Sequence, residues 1–397
     1  MENGKKKTEC MKIVIDGRMW NESGIGRYLR NLISELQKLD KKNDYYTLFL
    51  EKDFKDKEIL KQAGNFHKVL ADFKWYTLEE QIKLPRMLNK LKPDLVHFPH
   101  FNVPIFYPGK FVVTIHDLIH EHYKMSRATL HDPIMYKIKH LGYKKVFEVA
   151  VNNSVKILTP SEFVKNQLIN EWRVNDEKIL VTPEAVEDKL FSIGNKMSSE
   201  KITSVLKKFK ITQPYIFYVG NAYPHKNVEG LIKAFKMVKD SGVAGAPQND
   251  KKRLQLVLSG SDHYFWKKLK SSVFSLQSSD IVYTGFVSDS ELVALYKNAK
   301  CFVMPSFEEG FGIPILEAMA VGTPVVSSSA GSLKEVGGDA AIYFDPHDQE
   351  DMVDKIDMVL KSETLRRELI KKGKERVKKF SWKKMAKQTL EVYKACV

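Results

Sequence analysis

The feature that most constrains this chain is an alternation that occurs twice. Short apolar, β-branched runs at 12–15, 47–50, 95–97, 111–115, 156–158 and 179–181 are separated by helix-like segments. Strands that are apolar along their whole length, rather than at every second residue, are buried on both faces, and helical connections between them imply parallel sheets. The pattern then restarts with runs at 215–219, 254–258, 281–283, 301–304, 324–326 and 341–344. The expected fold class is therefore α/β, with two doubly wound, Rossmann-like domains. Between the series, a polar stretch rich in Lys and Ser, 188–213, reads as a linker with one short helix. The domains are then 11–190 and 205–380. A helical run after Ser381-Trp382 follows, offering an apolar stripe of Trp382, Met385, Leu390 and Tyr393 to some other surface. Open sheets of this kind take ligands at the carboxyl ends of their strands, in a cleft when two of them face each other, so functional motifs should lie just after strands.

The segment Pro305 to Pro324 does so. It follows an apolar strand, carries Gly310 and Gly312, and opens a helix with Pro314 suited to the first turn and Gly322 to the end. Peptide N–H groups from Phe311 through Gly312 to Ile313, with the positive helix end, suit a phosphate or sugar oxygens. Glu309 and Glu317 suit hydroxyl donors. An ordinary strand–loop–helix turn with solvated glutamates fits the spacing equally. A second loop, Gly220 to Asn227, delivers His225 and Lys226 to a strand end, where a cation would neutralise a leaving pyrophosphate; by itself it also reads as a solvated loop lysine. At the front, Gly24 and Gly26 follow the first strand. They lack the third glycine and the acidic partner of a dinucleotide fingerprint, leaving a phosphate- or sugar-facing loop or a plain tight turn.

Histidines concentrate between His97 and His131, and His116-Asp117 ends the very apolar strand 111–115. His116, His120, His122 and Asp117 can be drawn as a metal site, yet they straddle a strand end and a loop without H-E-x-x-H spacing, so polar cleft histidines are the better reading. No Asp-x-Asp occurs, so a metal-bridged diphosphate lacks its usual carboxylate pair, and Lys226 with a helix end would replace the metal's charge. Gly-x-Ser-x-Gly and Walker loops are absent, and Cys301 lies in an apolar strand.

Composition excludes further classes. With 43% hydrophobic and 28% charged residues, neither disorder nor a coiled coil is expected. Cys10, Cys301 and Cys396 are too few and too scattered for a disulfide framework, which fits a cytoplasmic protein. The start of the chain, 1–10, has lysines without an apolar core and reads as a tail, not a signal peptide. The longest uncharged stretch, 318–333, is broken by Gly322, Pro324 and Gly331 and does not span a bilayer. A net charge of +15 favours anionic partners. Much of it lies between Lys361 and Lys387, with twelve Lys or Arg against three Glu, either a solubilising helix face or a patch for anionic membrane.

Taken together, Glu309 to Glu317 with their E-x7-E spacing, His225-Lys226-Asn227, Gly24-Ile25-Gly26, His116-Asp117 and the tail around Ser381-Trp382 resemble a retaining glycosyltransferase of family 4, with the GT-B fold. The stretches 93–101 and 114–118 look most like its mannosyl- or hexosyltransferase branch from bacterial and archaeal polysaccharide synthesis. The resemblance implies a nucleotide-sugar donor, GDP-mannose first, no metal cofactor, and a glycan or lipid-linked acceptor. Glu309 would lie against the donor sugar, Glu317 on the ribose, Lys226 on the diphosphate, and His116 would face the reacting sugar. It also implies that the C-terminal helix crosses back onto the N-terminal domain. Where many members pair the lysine with an arginine, this chain has Asn221 and His225, so His225 is expected to share in neutralisation and to make donor affinity pH-dependent. The resemblance also allows a GT-B phosphorylase or a nucleotide-sugar 2-epimerase. A basic nucleic-acid-binding protein, suggested only by the charge, lacks any recognition signature.

Overall fold

The computed structural model describes residues 10–56, 58–60, 64–123, 133–212, 214–240, 254–262, 264–273 and 280–397. The tail before Cys10, His131 and Gln213 lie outside the described residues. Contacts divide the rest into two compact units. One takes the described residues up to His116, those of 126–183, and Trp382–Val397; the other takes those from Asp117 to Tyr123 and of 184–381.

The first unit holds seven strands: β1 (Lys12–Asp16), β2 (Asp44–Phe49), β3 (Phe66–Leu70), β4 (Leu95–Phe98), β5 (Phe111–Thr114), β6 (Lys156–Thr159) and β7 (Ile179–Val181). They pair in the order β3-β2-β1-β4-β5-β6-β7, all parallel. Ile13, Val14 and Ile15 at the centre are fully buried, as residues covered by helices on both faces must be. The edge strand β3 had no counterpart among the apolar runs, because Phe-His-Lys-Val-Leu is half exposed and broken by polar residues.

The second unit repeats the scheme with β8 (Tyr215–Val219), β9 (Gln255–Ser259), β10 (Ile281–Gly285), β11 (Cys301–Met304), β12 (Val325–Ser328) and β13 (Ala341–Phe344). Their order is β10-β9-β8-β11-β12-β13, again parallel throughout. In each sheet the winding reverses once, between β1 and β4 and between β8 and β11. The crevice beyond the strand ends at such a reversal is where doubly wound sheets bind ligands.

The structure departs from the sequence expectation in two places. The stretch expected to be a linker forms two helices, Asp188–Lys196 and Ser199–Lys208, whose Leu190 and Val205 enter the core with Leu292 and Val293. Ser198 caps the second by accepting from the Lys201 N–H. Their solvent faces supply the Lys and Ser that suggested a linker. The second departure concerns Gly24 and Gly26, which lie not in a loop but in the first turn of the helix Ser23–Leu39. A Cβ on Gly26 would sit 2.2 Å from the Trp20 carbonyl oxygen, so that glycine serves the chain's own packing.

The C-terminal helix Trp382–Cys396 packs on the helix Ser23–Leu39, and its stripe of Trp382, Met385, Leu390 and Tyr393 is buried. A polar chain fastens it. The Tyr393 hydroxyl meets His97 Nδ1 at 2.5 Å, His97 Nε2 meets Thr114 Oγ1 at 2.8 Å, and that hydroxyl meets Tyr28 at 3.0 Å. Burial, and secondarily His116, push the His97 pKa down to about 3, so the ring is neutral. Tyr393→Phe leaves one buried ring nitrogen without a partner, a cost of about 1–3 kcal/mol. A lowered melting temperature is expected, and a variant that melts with the wild type would contradict this role.

The basic block spans the helix Glu363–Val377 and the start of the C-terminal helix. Several of its cations are engaged locally. Arg366 donates to the carbonyls of Val359 and Leu360 at 2.7 and 2.6 Å, closing the preceding helix Gln349–Lys361, and Arg376 donates to Val336 at 2.9 Å. Lys372 and Lys378 pair with Glu368 and Glu375, both at 2.7 Å. Among the described residues, no helix is long and apolar enough to cross a membrane.

Candidate functional site

At the reversal of the second sheet, the loops leaving β8 and β11 are stitched together. Gly220 continues β8, its N–H donating to Ser259 at 3.0 Å, and the chain tightens into a turn at Pro224–Lys226. The Phe307 N–H donates to the His225 carbonyl at 2.7 Å, and the Asn227 side-chain amide donates to Pro305 at 3.1 Å. Lys226 is thereby delivered to Glu309. Its ammonium donates to both carboxylate oxygens, at 2.6 and 2.7 Å, and Ser306 Oγ adds a bond of 2.7 Å.

The backbone of Glu309 is clamped from the next strand's loop. Ser332 Oγ donates to the Glu309 carbonyl at 3.0 Å. Gly331, at φ +60, lies so close that a Cβ would come within 2.7 Å of the same oxygen. A glutamate held by backbone, hydroxyl and ammonium is oriented before any ligand arrives.

Gly312, at φ +93, precedes the helix Ile313–Val321, whose N-terminus has no side-chain cap and no acidic residue in its first turn. Such an end presents N–H groups to an anion. Gly322 closes the helix at φ +83, and Pro314 occupies its first turn, the placement read from the sequence. Phe311 itself turns into the core, edge-on to Phe380, so it can serve a ligand only through its backbone. Ile313 packs partly buried against the same core. Glu317 is nearly buried, and the Tyr296 hydroxyl donates to its Oε2 at 3.1 Å.

His225 is held in its neutral form. Burial, with Lys226 next in importance and His120 after it, pushes its pKa down to about 3. The imidazole is therefore neutral at physiological pH.

Two residues not singled out from the sequence, Glu308 and Tyr123, also gather here, beside His122 of the histidine group read above. His122, on the short helical segment Ile119–His122, places Nδ1 at 2.9 and 2.7 Å from the two oxygens of Glu308, the neighbour of Glu309. The Tyr123 ring lies 5.8 Å from His225. A separation of 186 residues hides the His122–Glu308 pair from any local motif. Among the described residues, no group of three or more His, Cys, Asp or Glu is arranged to hold a metal ion.

Gly220, His225, Lys226, Glu309, Phe311, Gly312, Ile313 and Glu317 thus belong to one region of the second unit. Gly24, Gly26 and His116 belong to the first. There His116 Nε2 lies 3.0 Å from the Pro99 carbonyl, with its ring edge-on to Tyr28 at 4.9 Å. A carbonyl can only accept, so that nitrogen carries the proton. The second-unit region combines a paired cation, a fixed carboxylate and a helix end without a side-chain cap, a set suited to an anionic ligand that also bears hydroxyl groups.

Comparison with known proteins agrees with both halves. Residues 23–190 match the model of Glycosyltransferase Family 4, and residues 201–376 that of Glycosyl transferases group 1. The O-antigen chain mannosyltransferase B of Escherichia coli is 29% identical over 94% of this chain and 96% of its own length. Among solved structures, WaaG, a glycosyltransferase involved in lipopolysaccharide biosynthesis, superposes with a TM-score of 0.71 at 16% identity, covering 96% of this chain and 98% of that one. HepE of Anabaena in complex with UDP-glucose gives 0.72 at 16% identity, covering 97% and 100%.

Proposed function

Since the chain belongs to the family 4 glycosyltransferases and has their GT-B pair of Rossmann-like domains, we propose that it moves mannose from GDP-mannose to a glycan or lipid-linked sugar acceptor. The transfer retains anomeric configuration and needs no metal ion. The observation that carries this reading is the bidentate Lys226–Glu309 pair beside an uncapped helix end at the sheet reversal. A mannosyltransferase of O-antigen chains, similar along nearly its whole length, supports the choice of sugar and of a polysaccharide acceptor.

In this reading the donor's diphosphate competes with Glu309 for Lys226. The ammonium moves to the phosphate oxygens, sharing their charge with the N–H groups at Gly312 and Ile313. Glu309, kept in place by Ser306 and Ser332, then accepts hydroxyl groups of the sugar. As the glycosidic bond lengthens, positive charge grows at the anomeric carbon and negative charge on the leaving diphosphate. The carboxylate and the ammonium each meet the charge they oppose. Glu317 holds the ribose.

The test is a panel of GDP- and UDP-sugars, scoring released nucleoside diphosphate before and after EDTA treatment. Release from GDP-mannose that survives the chelator is expected. Activity abolished by EDTA and restored by divalent metal would overturn metal independence, and activity with UDP-sugars alone would overturn the donor. Glu317→Ala is expected to raise the donor KM about 10- to 100-fold with little change in kcat, because ribose contacts are remote from the breaking bond. Tyr296→Phe removes that carboxylate's hydroxyl partner but not the carboxylate, and should leave KM near wild type. An equal loss of kcat in Glu317→Ala at saturating donor would contradict this division.

A further inference from the structure

Four exposed apolar side chains gather on one part of the first unit: Tyr76 (58% exposed), Leu78 (84%), Ile82 (53%) and Phe106 (78%). Leu78 and Ile82 lie one turn apart on the same face of the helix Leu78–Leu91. Gln81 fastens the neighbouring loop to this turn. Its side-chain amide donates to the Val103 carbonyl at 3.3 Å, and its carbonyl oxygen accepts the Ile105 N–H at 2.8 Å, which brings Phe106 alongside. Tyr76 sits just ahead of the helix at φ +62, a backbone conformation that bulky residues rarely adopt. Its N–H donates to the Glu80 carboxylate at 2.9 Å. Glu80 is fully buried against Arg18 at 2.6 Å and Asn102 at 2.8 Å, so the platform under the patch is fixed.

Cations accompany the apolar side chains. Lys74, Arg86 and Lys90 are all exposed along the same segment. Its exposed acids are occupied: Glu79 pairs with Lys83, and Asp72 accepts the Glu51 N–H at 3.1 Å. We infer that this face docks the enzyme on an anionic lipid bilayer, with Leu78, Ile82 and Phe106 entering the acyl boundary, Tyr76 at the headgroup level and the cations on the lipid phosphates. Aromatic and aliphatic residues interleaved with Lys and Arg are the composition of an interfacial helix. The core of a protein–protein interface is instead depleted in lysine. The surface is distinct from the basic block at 361–387, several of whose cations are tied to their own unit. The inference concerns where the chain works and not what it transfers, so it is read without turnover.

The experiment is co-sedimentation of the full chain with phosphatidylglycerol-containing vesicles and with pure phosphatidylcholine vesicles. The wild type should bind the former and not the latter. The triple variant Leu78→Ser, Ile82→Ser, Phe106→Ser should reduce bound protein about tenfold or more with an unchanged melting temperature, all three sites being exposed. The single variant Phe106→Ser should show a smaller loss in the same direction. Reversing Lys371 and Lys379 to glutamate in the basic block should leave binding intact. Absence of wild-type binding would overturn the inference, as would binding that survives the triple variant. So would a triple variant that changes the oligomeric mass of the free protein, which would assign the patch to a second copy of the chain.

Discussion

Lys226→Ala is expected to reduce turnover with the donor roughly 30- to 1000-fold, a loss of about 2–4 kcal/mol of transition-state stabilisation. Two effects add. The leaving diphosphate loses a charge-assisted contact at the moment its charge grows, and Glu309 is left without the ammonium that now neutralises it at 2.6 Å. With Lys226 only 19% exposed and Glu309 8%, water does little to screen what remains, so an unpaired carboxylate would face the incoming phosphates. The Michaelis constant for donor should therefore rise as kcat falls. Circular dichroism and melting temperature separate this from misfolding. A folded Lys226→Ala enzyme with wild-type kcat/KM would show that the lysine is only a surface partner of the glutamate.

Glu309→Gln should lower kcat about 100- to 1000-fold with an opposite effect on binding. The amide preserves shape and can still accept from Ser306 Oγ, but it carries no charge to set against the developing oxocarbenium ion. It also releases Lys226 from its present partner, so the ground-state grip on the diphosphate strengthens and the donor KM should fall or stay level. Lower kcat together with lower KM marks a group that acts on the transition state. Because the two residues share one contact, the double variant should lose much less than the product of the single losses. Steady-state kinetics on the four proteins checks this, and independent, multiplicative losses would contradict a working pair.

The sheets were legible where they are buried on both sides. All six strands of the second unit coincide with apolar runs read from the sequence: the four inner ones because a central parallel strand has no polar face to interrupt it, and the partly exposed edge strands Ile281–Gly285 and Ala341–Phe344 because their apolar residues are consecutive. The edge strand Phe66–Leu70 escaped because His67 and Lys68 interrupt its apolar residues, and the helices of 188–208 passed for a linker because their solvent faces are rich in Lys and Ser, although Leu190, Phe191, Ile193, Ile202, Val205 and Leu206 pack on the core. At the site, the helix bounded by Gly312 and Gly322 was readable because both positions require a left-handed backbone. Lys226 and Glu309 could be nominated singly, but 83 residues separate them and only the parallel pairing of β8 with β11 makes them neighbours. The neutrality of His225 had no sequence signal at all, since it follows from burial among side chains distant in the chain.

The most direct test of the account is the anomeric configuration of the product formed from GDP-mannose labelled with 13C at C1, followed by NMR in the presence of EDTA. An α-linked mannoside is expected to appear together with GDP in the wild type, and neither product from Lys226→Ala on the same timescale. A β-linked product, or GDP-mannose left intact by the wild type until divalent metal is added, would contradict it.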